Sequence, residues 1–192
     1  VVNRLSEGKP KNRTITIEPG ASSLYQYVPF RQDQTYMAIG ERTNANGSKA
    51  FRDALINEDW GTCVEIARDQ IRDGAHMLDL SVDYVGRDGV ADMKELASRF
   101  ATASTLPIVL DSTEPAVLEA GLESLGGRCV INSVNYEDGD GPTSRFARIM
   151  PLVREHGASV VALTIDEEGQ ARTAEWKLRV ARRLIKDLTE NW

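Results

Sequence analysis

Pro107-Ile108-Val109-Leu110-Asp111-Ser112-Thr113-Glu114-Pro115 is the stretch on which the fold turns. Its apolar run, Pro107 to Leu110, has the length of a fully buried strand; Asp111, Ser112 and Thr113 end it in polar groups. Glu114-Pro115 then opens a helix, because proline is tolerated in a first turn. The same unit recurs on both sides. Apolar runs at Tyr36 to Ile39, His76 to Leu80, Cys129 to Ile131 and Ser159 to Leu163 alternate with stretches of helical period. Those stretches carry Trp60, Val64, Ala67 and Ile71, then Met93, Leu96, Ala97, Phe100 and Ala101, and at the end Trp176, Val180, Leu184 and Leu188. A further helix is predicted from about Arg145 to Glu155, ended by Gly157, and Gly126-Gly127 stops the one opened by Pro115. Apolar strands separated by helices predict a parallel α/β sheet with right-handed crossovers.

Residues 1–35 read differently. Lys9-Pro10-Lys11-Asn12 and Glu18-Pro19-Gly20 punctuate this part, while Arg13-Thr14-Ile15-Thr16-Ile17 alternates like a short strand. A connector with an N-terminal hairpin or plug is expected over 1–35 and the α/β domain over 36–192. At 192 residues a doubly wound sheet of five strands would be complete, whereas a (β/α)8 barrel takes roughly 250 residues. Length thus favours the doubly wound fold. Against it, Gly40-Glu41-Arg42-Thr43-Asn44 is no dinucleotide-binding turn, and Gly139-Asp140-Gly141 lacks the spacing of one.

Composition removes several functions. With 23 Lys+Arg against 29 Asp+Glu the net charge is -6, which argues against a nucleic-acid footprint. No window approaches the roughly 18 apolar residues of a membrane span, and the start lacks a signal-peptide pattern, so the cytoplasm is the expected compartment. The chain begins at Val1 without Met, as if excised from something longer. Two cysteines, Cys63 and Cys129, and two histidines, His76 and His156, supply no zinc-site spacing, and no metal is expected.

What remains is a positional regularity. Each predicted strand is followed by acids or amides: Glu41 and Asn44; Asp79 and Asp83; Asp111 with Ser112 and Thr113; Asn132 and Asn135; Asp166-Glu167-Glu168. In a parallel α/β fold these tips share one face, where sites are built. Any one of them could instead be an ordinary helix cap. Asp79 is the sharpest, because it lies inside an apolar run where an unpaired carboxylate is costly. Acids and amides with few basic groups suit a neutral nitrogen heterocycle: carboxylates accept from ring N–H and amino groups, and an amide reads adjacent donors and acceptors.

Taken in order, Ile39-Gly40-Glu41-Arg42-Thr43-Asn44 with Gly47-Ser48-Lys49, then Leu110-Asp111-Ser112-Thr113, Val130-Ile131-Asn132-Ser133-Val134-Asn135 and Thr164-Ile165-Asp166-Glu167-Glu168-Gly169-Gln170 form a series. This series resembles the folate (pterin-binding) domains of cobalamin-dependent methionine synthases, from about Pro29 onward. It is similar, more distantly, to corrinoid methyltransferases and dihydropteroate synthases. The resemblance implies a (β/α)8 TIM barrel of the pterin-binding type, truncated to about five β/α units, with 1–35 a connector from a homocysteine-binding domain. It also implies methyl transfer from 5-methyltetrahydrofolate to cob(I)alamin and on to homocysteine, with cobalamin bound by another domain and zinc only in the homocysteine domain.

Carried over by position, Asp111 and Asn132 match the family's pterin-bonding pair, Glu41 and Asn44 its first-strand motif and Asp79 its second-strand acid. Ser112, Asn135 and Asp166 would support them, with capping of the fifth helix the alternative role for Asp166. The family's carboxylate after strand six and amide after strand seven have no counterpart here, so the segment alone is expected to be inactive and to self-associate through open barrel edges. Two alternatives stand beside this reading. A dihydropteroate synthase would carry an Asn-x-Thr-Pro-Asp-Ser stretch where this chain has Glu41-Arg42-Thr43-Asn44, and a non-catalytic assembly module would need only the edges. Glu137-Asp138-Gly139-Asp140-Gly141 starts like a calcium loop but has Ile149 where the closing Glu belongs. Arg172, Arg179, Arg182 and Arg183 read as a solvated helix face.

Overall fold

The computed structural model describes residues 16, 18–33 and 36–192. A hairpin of β1 (Gly20–Ser22) and β2 (Tyr27–Pro29) comes first, followed by β3 (Ile39–Gly40), α1 (Lys49–Ile56), α2 (Trp60–Arg72), β4 (Met77–Leu80) and α3 (Gly89–Ala103). Then come β5 (Ile108–Asp111), α4 (Pro115–Ser124), β6 (Val130–Val134), α5 (Arg145–His156), β7 (Ser159–Ala162), β8 (Ile165–Asp166), β9 (Gly169–Gln170) and α6 (Ala174–Glu190).

Five strands pair in parallel in the order β3-β4-β5-β6-β7. Strands that neighbour one another in strict chain order make a barrel wall, whereas a doubly wound sheet reverses at a switch point. The truncated barrel of about five β/α units that the resemblance implies is therefore what the fold shows, and the doubly wound sheet favoured by length alone is not.

Period-two alternation gives the wall two faces. Leu78, Leu80, Ile108, Leu110 and Ile131 point outward into a core shared with Phe51, Leu55, Met93, Leu96, Phe100, Leu118 and Phe146 of the helices. Met77, Val109 and Val130 point inward, with Ile39 and Val161 beside them and Ala21 and Val28 of the hairpin packed on top. The hairpin thus covers the lower inner surface and is tied to the wall by an antiparallel bridge between Ser22 and Arg128. Most of the stretch that alternates in sequence, Arg13 to Ile15 and Ile17, lies outside the described residues.

The caps decide one question that the sequence leaves open. Ser48, Asp59, Asp88, Ser144 and Thr173 accept backbone N–H bonds at the starts of α1, α2, α3, α5 and α6. Each such cap contributes about 1 kcal/mol. None of these is one of the strand-tip polar residues, several of which accept backbone N–H bonds in the turns instead: Asn44 from Gly47 N, Ser112 from Glu114 N and Asn135 from Glu137 N.

Two elements depart from the sequence reading. Helix α1 buries Phe51, Ala54 and Leu55 in a stretch read only as part of a motif. The acids Asp166 to Glu168 do not simply trail the fifth strand; they form the β8–β9 hairpin, in which Asp166 pairs with Gly169.

Packing is tightest between α4 and the wall. A Cβ on Gly121 would lie 2.7 Å from Leu110 Cδ2 and 3.2 Å from Met93 Sδ, both side chains fully buried. In α2, Gly61 has open space, with Asp59 Oδ1 at 3.5 Å the nearest group. Gly121→Ala is expected to destabilise by about 1–3 kcal/mol through overpacking, while Gly61→Ala gains up to about 1 kcal/mol of helix propensity. Denaturant unfolding of the two variants should move in opposite directions.

Candidate functional site

The motif after the first wall strand is built around Gln70 of α2, a glutamine 3% exposed. Its Oε1 accepts from Arg42 N at 2.7 Å, and its Nε2 donates to Thr43 Oγ1 at 3.2 Å. Gly40 is glycine because a Cβ there would meet Gln70 Oε1 at 2.6 Å. Thr43 in turn donates its hydroxyl to the carbonyl of Asp79 in β4. The Arg42 guanidinium turns outward to Asp73, in an exposed pair at 2.9 Å. Every residue from Gly40 to Thr43 except Glu41 thus has a local duty that presents Asn44 to the mouth.

Asn44 Nδ2 donates to Asp79 Oδ2 at 2.9 Å and to Asp111 Oδ2 at 3.0 Å. Asp111 and Asn132 are register partners across β5 and β6. By the parity of Val109 and Val130 they share the inner face. The inner surface is therefore layered, apolar at the level of Met77, Val109 and Val130 and polar one step toward the strands' carboxyl ends.

Electrostatics follow from this burial. Asp79 is 2% exposed, and removal from water pushes its carboxyl up to about 6; hydrogen bonds from Asn44 and, less strongly, Asn132 pull the other way, and the negative charges of Asp111 and Glu41 add to the rise. Burial likewise raises the Asp111 carboxyl, with Asn44 and Arg145 opposing and Asp83 and Glu41 reinforcing. Glu41 itself is exposed.

The remaining candidates have structural partners. Asp83 accepts from the Ser112 hydroxyl at 2.8 Å and from Thr113 N at 2.9 Å, so Ser112 locks two loops together beside Asp111. Asn135 Oδ1 accepts from Glu137 N at 2.9 Å within its own turn. Asp166 receives Trp176 Nε1 at 2.9 Å, Arg179 Nη2 at 3.2 Å and Glu168 N at 3.1 Å, which ties the β8–β9 hairpin to α6. The basic stretch on α6 is accordingly more than a solvated face. Arg183 binds Glu167 and Asp140 and lies 3.9 Å over the Tyr136 ring, and Arg179 also bonds Glu168.

Two residues of the site escape sequence reasoning. Gln70 had a signal: it continues the buried stripe of Cys63 and Ala67, where a polar residue needs a reason. Arg145, the first residue of α5, had none. It donates Nη2 to Ser112 O at 2.7 Å, while its buried Nε lacks a partner. Among the described residues no cluster of His, Cys, Asp and Glu is arranged to hold a metal ion. The site offers acceptors, buried at Asp79 and half-buried at Asp111, and one amide, Asn132, able both to donate and to accept.

Asp79 makes stability depend on pH. Its folded value of about 6 lies above the ordinary 3.8, so the contribution is present at acid pH and lost as pH rises through 6. The full loss is about 3 kcal/mol. Asp79→Asn does not titrate, so the variant is expected to gain on the native protein by up to that amount between pH 4 and pH 7. A stability difference that stays constant across urea titrations at those pH values would contradict the assignment.

The matching family model, described as pterin binding enzyme, spans residues 40–192. The chain is similar to a methionine synthase of Mycobacterium tuberculosis (strain ATCC 25618 / H37Rv), 71% identical over 184 residues that cover 96% of this chain and 15% of that protein. It is likewise similar to a methionine synthase of Mycobacterium leprae (strain TN), 69% identical over 180 residues that cover 94% of this chain and 15% of that protein. The chain thus spans about 15% of the length of these curated relatives. The family match begins at Gly40, where the Gln70-bound motif starts, and takes in every strand tip described above, so the chain belongs to the pterin binding enzyme family.

Proposed function

We propose that this chain is the folate-binding portion of a methionine synthase, presenting 5-methyltetrahydrofolate for transfer of its methyl group to cob(I)alamin and on to homocysteine. The observation that carries the reading is the register pairing of Asp111 with Asn132 on the inner face, next to Asp79. Asp111 accepts from a pterin ring N–H, and Asn132 engages the aminopyrimidine edge with its paired donor and acceptor. Glu41, at the exposed rim, adds negative potential that favours N–H donors over anions.

Methyl transfer requires N5 of the folate to gain positive character so that the remaining tetrahydrofolate leaves readily. Carboxylates fixed near the ring favour that charge. Cobalamin supplies the methyl acceptor when bound. The residues of this chain do not fit a resident corrin or zinc: His76 accepts from Ala38 N at the amino end of β4, and His156 ends α5 on the same side, both away from the mouth. The resemblance to the family implies that another domain holds cobalamin and that the homocysteine-binding one holds zinc. The remaining barrel strands come from polypeptide outside this segment, so the segment alone is inactive and prone to pair through its edges.

Calorimetric titration with 5-methyltetrahydrofolate should give little heat with this chain alone and clear heat with the barrel complete. In the complete protein Asp111→Ala or Asn132→Ala should weaken binding about 10- to 100-fold, the weight of a hydrogen bond to a charged or buried group. Unchanged affinity in both variants would remove the pterin from this pair.

A further inference from the structure

Asn44 sits at the mouth in the position of a ligand contact, yet its hydrogen-bonding capacity is already used. Its Oδ1 accepts from Asn46 N at 2.9 Å and Gly47 N at 3.1 Å, which fixes which end of the amide is oxygen. Its Nδ2 gives one hydrogen to Asp79 and the other to Asp111. A carboxamide has two donor hydrogens and two acceptor lone pairs, and all four are engaged. The residue is also held from below, by a parallel bridge to Ser81 and by the Gln70–Thr43–Asp79 chain. Asp111, by contrast, has one oxygen bound to Asn44 and no protein donor to Oδ1 among the described residues.

We propose that Asn44 is a positioning residue: its amide joins Asp79 to Asp111 and thereby aims the free Oδ1 of Asp111 at the ligand, without itself touching the pterin. This rests on the reading that Asp111 meets the ring. The charges around the pair show why such a residue is needed. Glu41 from the loop after β3, Asp79 from β4, Asp83 from the loop after it and Asp111 from the end of β5 gather negative charge here, against the guanidinium of Arg145 from α5 and the neutral amide of Asn132 from β6. Without a neutral donor between them the buried carboxylate of Asp79 and the half-buried one of Asp111 would repel, and Asp111 would turn toward Arg145 or water. Asn44 supplies that donor within 3.0 Å of both, whereas the amide of Asn132 touches Asp79 more weakly.

The two ends of the amide can be separated by substitution. Asn44→Asp keeps an oxygen for Asn46 N and Gly47 N, so the turn survives, but it removes both donor hydrogens and adds a third carboxylate. In the complete protein, Asn44→Asp should weaken 5-methyltetrahydrofolate binding about tenfold or more at pH 7.5. Near pH 5.5 the crowded carboxylates share a proton and regain a donor, so the ratio of variant to native dissociation constants should shrink severalfold. Taking the ratio at each pH cancels titration of the ligand itself. Asp111→Ala run alongside separates the outcomes. If Asp111→Ala weakens binding while Asn44→Asp leaves it unchanged, the positioning role is wrong and the pterin reading stands. A loss in Asn44→Asp that is equal at both pH values also overturns the proposal, since it marks a direct contact or a damaged scaffold. If neither substitution alters affinity, the pterin reading fails and this inference fails with it.

Discussion

A carboxylate taken out of water must find a donor or keep its proton, and Asp79, 2% exposed beneath the mouth, does something of both. Its closest donor, Asn44, is shared with Asp111, and the amide of Asn132 adds a weaker bond. Much of the local architecture serves to bring that amide into place. Gly40 makes room for Gln70, Gln70 orients Arg42 N and Thr43, and Thr43 binds the backbone of the strand that carries Asp79. Stability and recognition thus pull in opposite directions at Asp79. A hydrophobic residue there would relieve the burial cost but leave Asn44 with an unpaired hydrogen and Asp111 without its fixed neighbour.

The wall strands solve a second problem with the same alternation. A strand buried on both sides reads as continuous apolar sequence, yet its two faces do different work. Outward residues meet the helices and form the main core, whereas inward residues form an apolar floor sealed by the β1–β2 hairpin. One step along each strand the inward positions become Asp79, Asp111 and Asn132. The floor keeps water from below, which raises the carboxyl of Asp79 and strengthens any hydrogen bond made there.

Local signals in the sequence were sufficient for most elements, though not for α1 or the β8–β9 hairpin, and insufficient for their partners. The alternation of apolar runs with helical stripes located all five wall strands and the helices from α2 to α6, because each is set by its own period and its own stop. Length misled on architecture, since a barrel portion and a complete doubly wound sheet can have equally many units. Asp79 was legible as a problem because a charge within an apolar run is locally visible. Arg145 was not: it reaches Ser112 from a helix more than thirty residues further on, a distance no period encodes. The same holds for Asp166, whose oxygens are claimed by Trp176 and Arg179 along α6. An acid after a strand and an arginine in the following helix form a pair that periodicity does not reveal. The rule that places acids at strand tips therefore locates the mouth and cannot say which acids still face it.

The edge strand β7 links this chemistry to the remainder of the barrel. Ser159-Val160-Val161-Ala162 carries neither charge nor proline, the usual protections of an exposed edge. On its inner side Val161 joins Phe30, Met37, Ile39, Met77 and Val130 around an apolar cavity of about 190 Å³ that the hairpin leaves open. Both features call for the same remedy, another parallel strand laid beside β7 with an apolar inward residue at this level. In the barrel proposed above, that strand would also carry its polar tip to the mouth, one position round from Asn132. Covering the edge and completing the pterin pocket are then a single event, so ligand affinity and resistance to aggregation should rise together as strands are added.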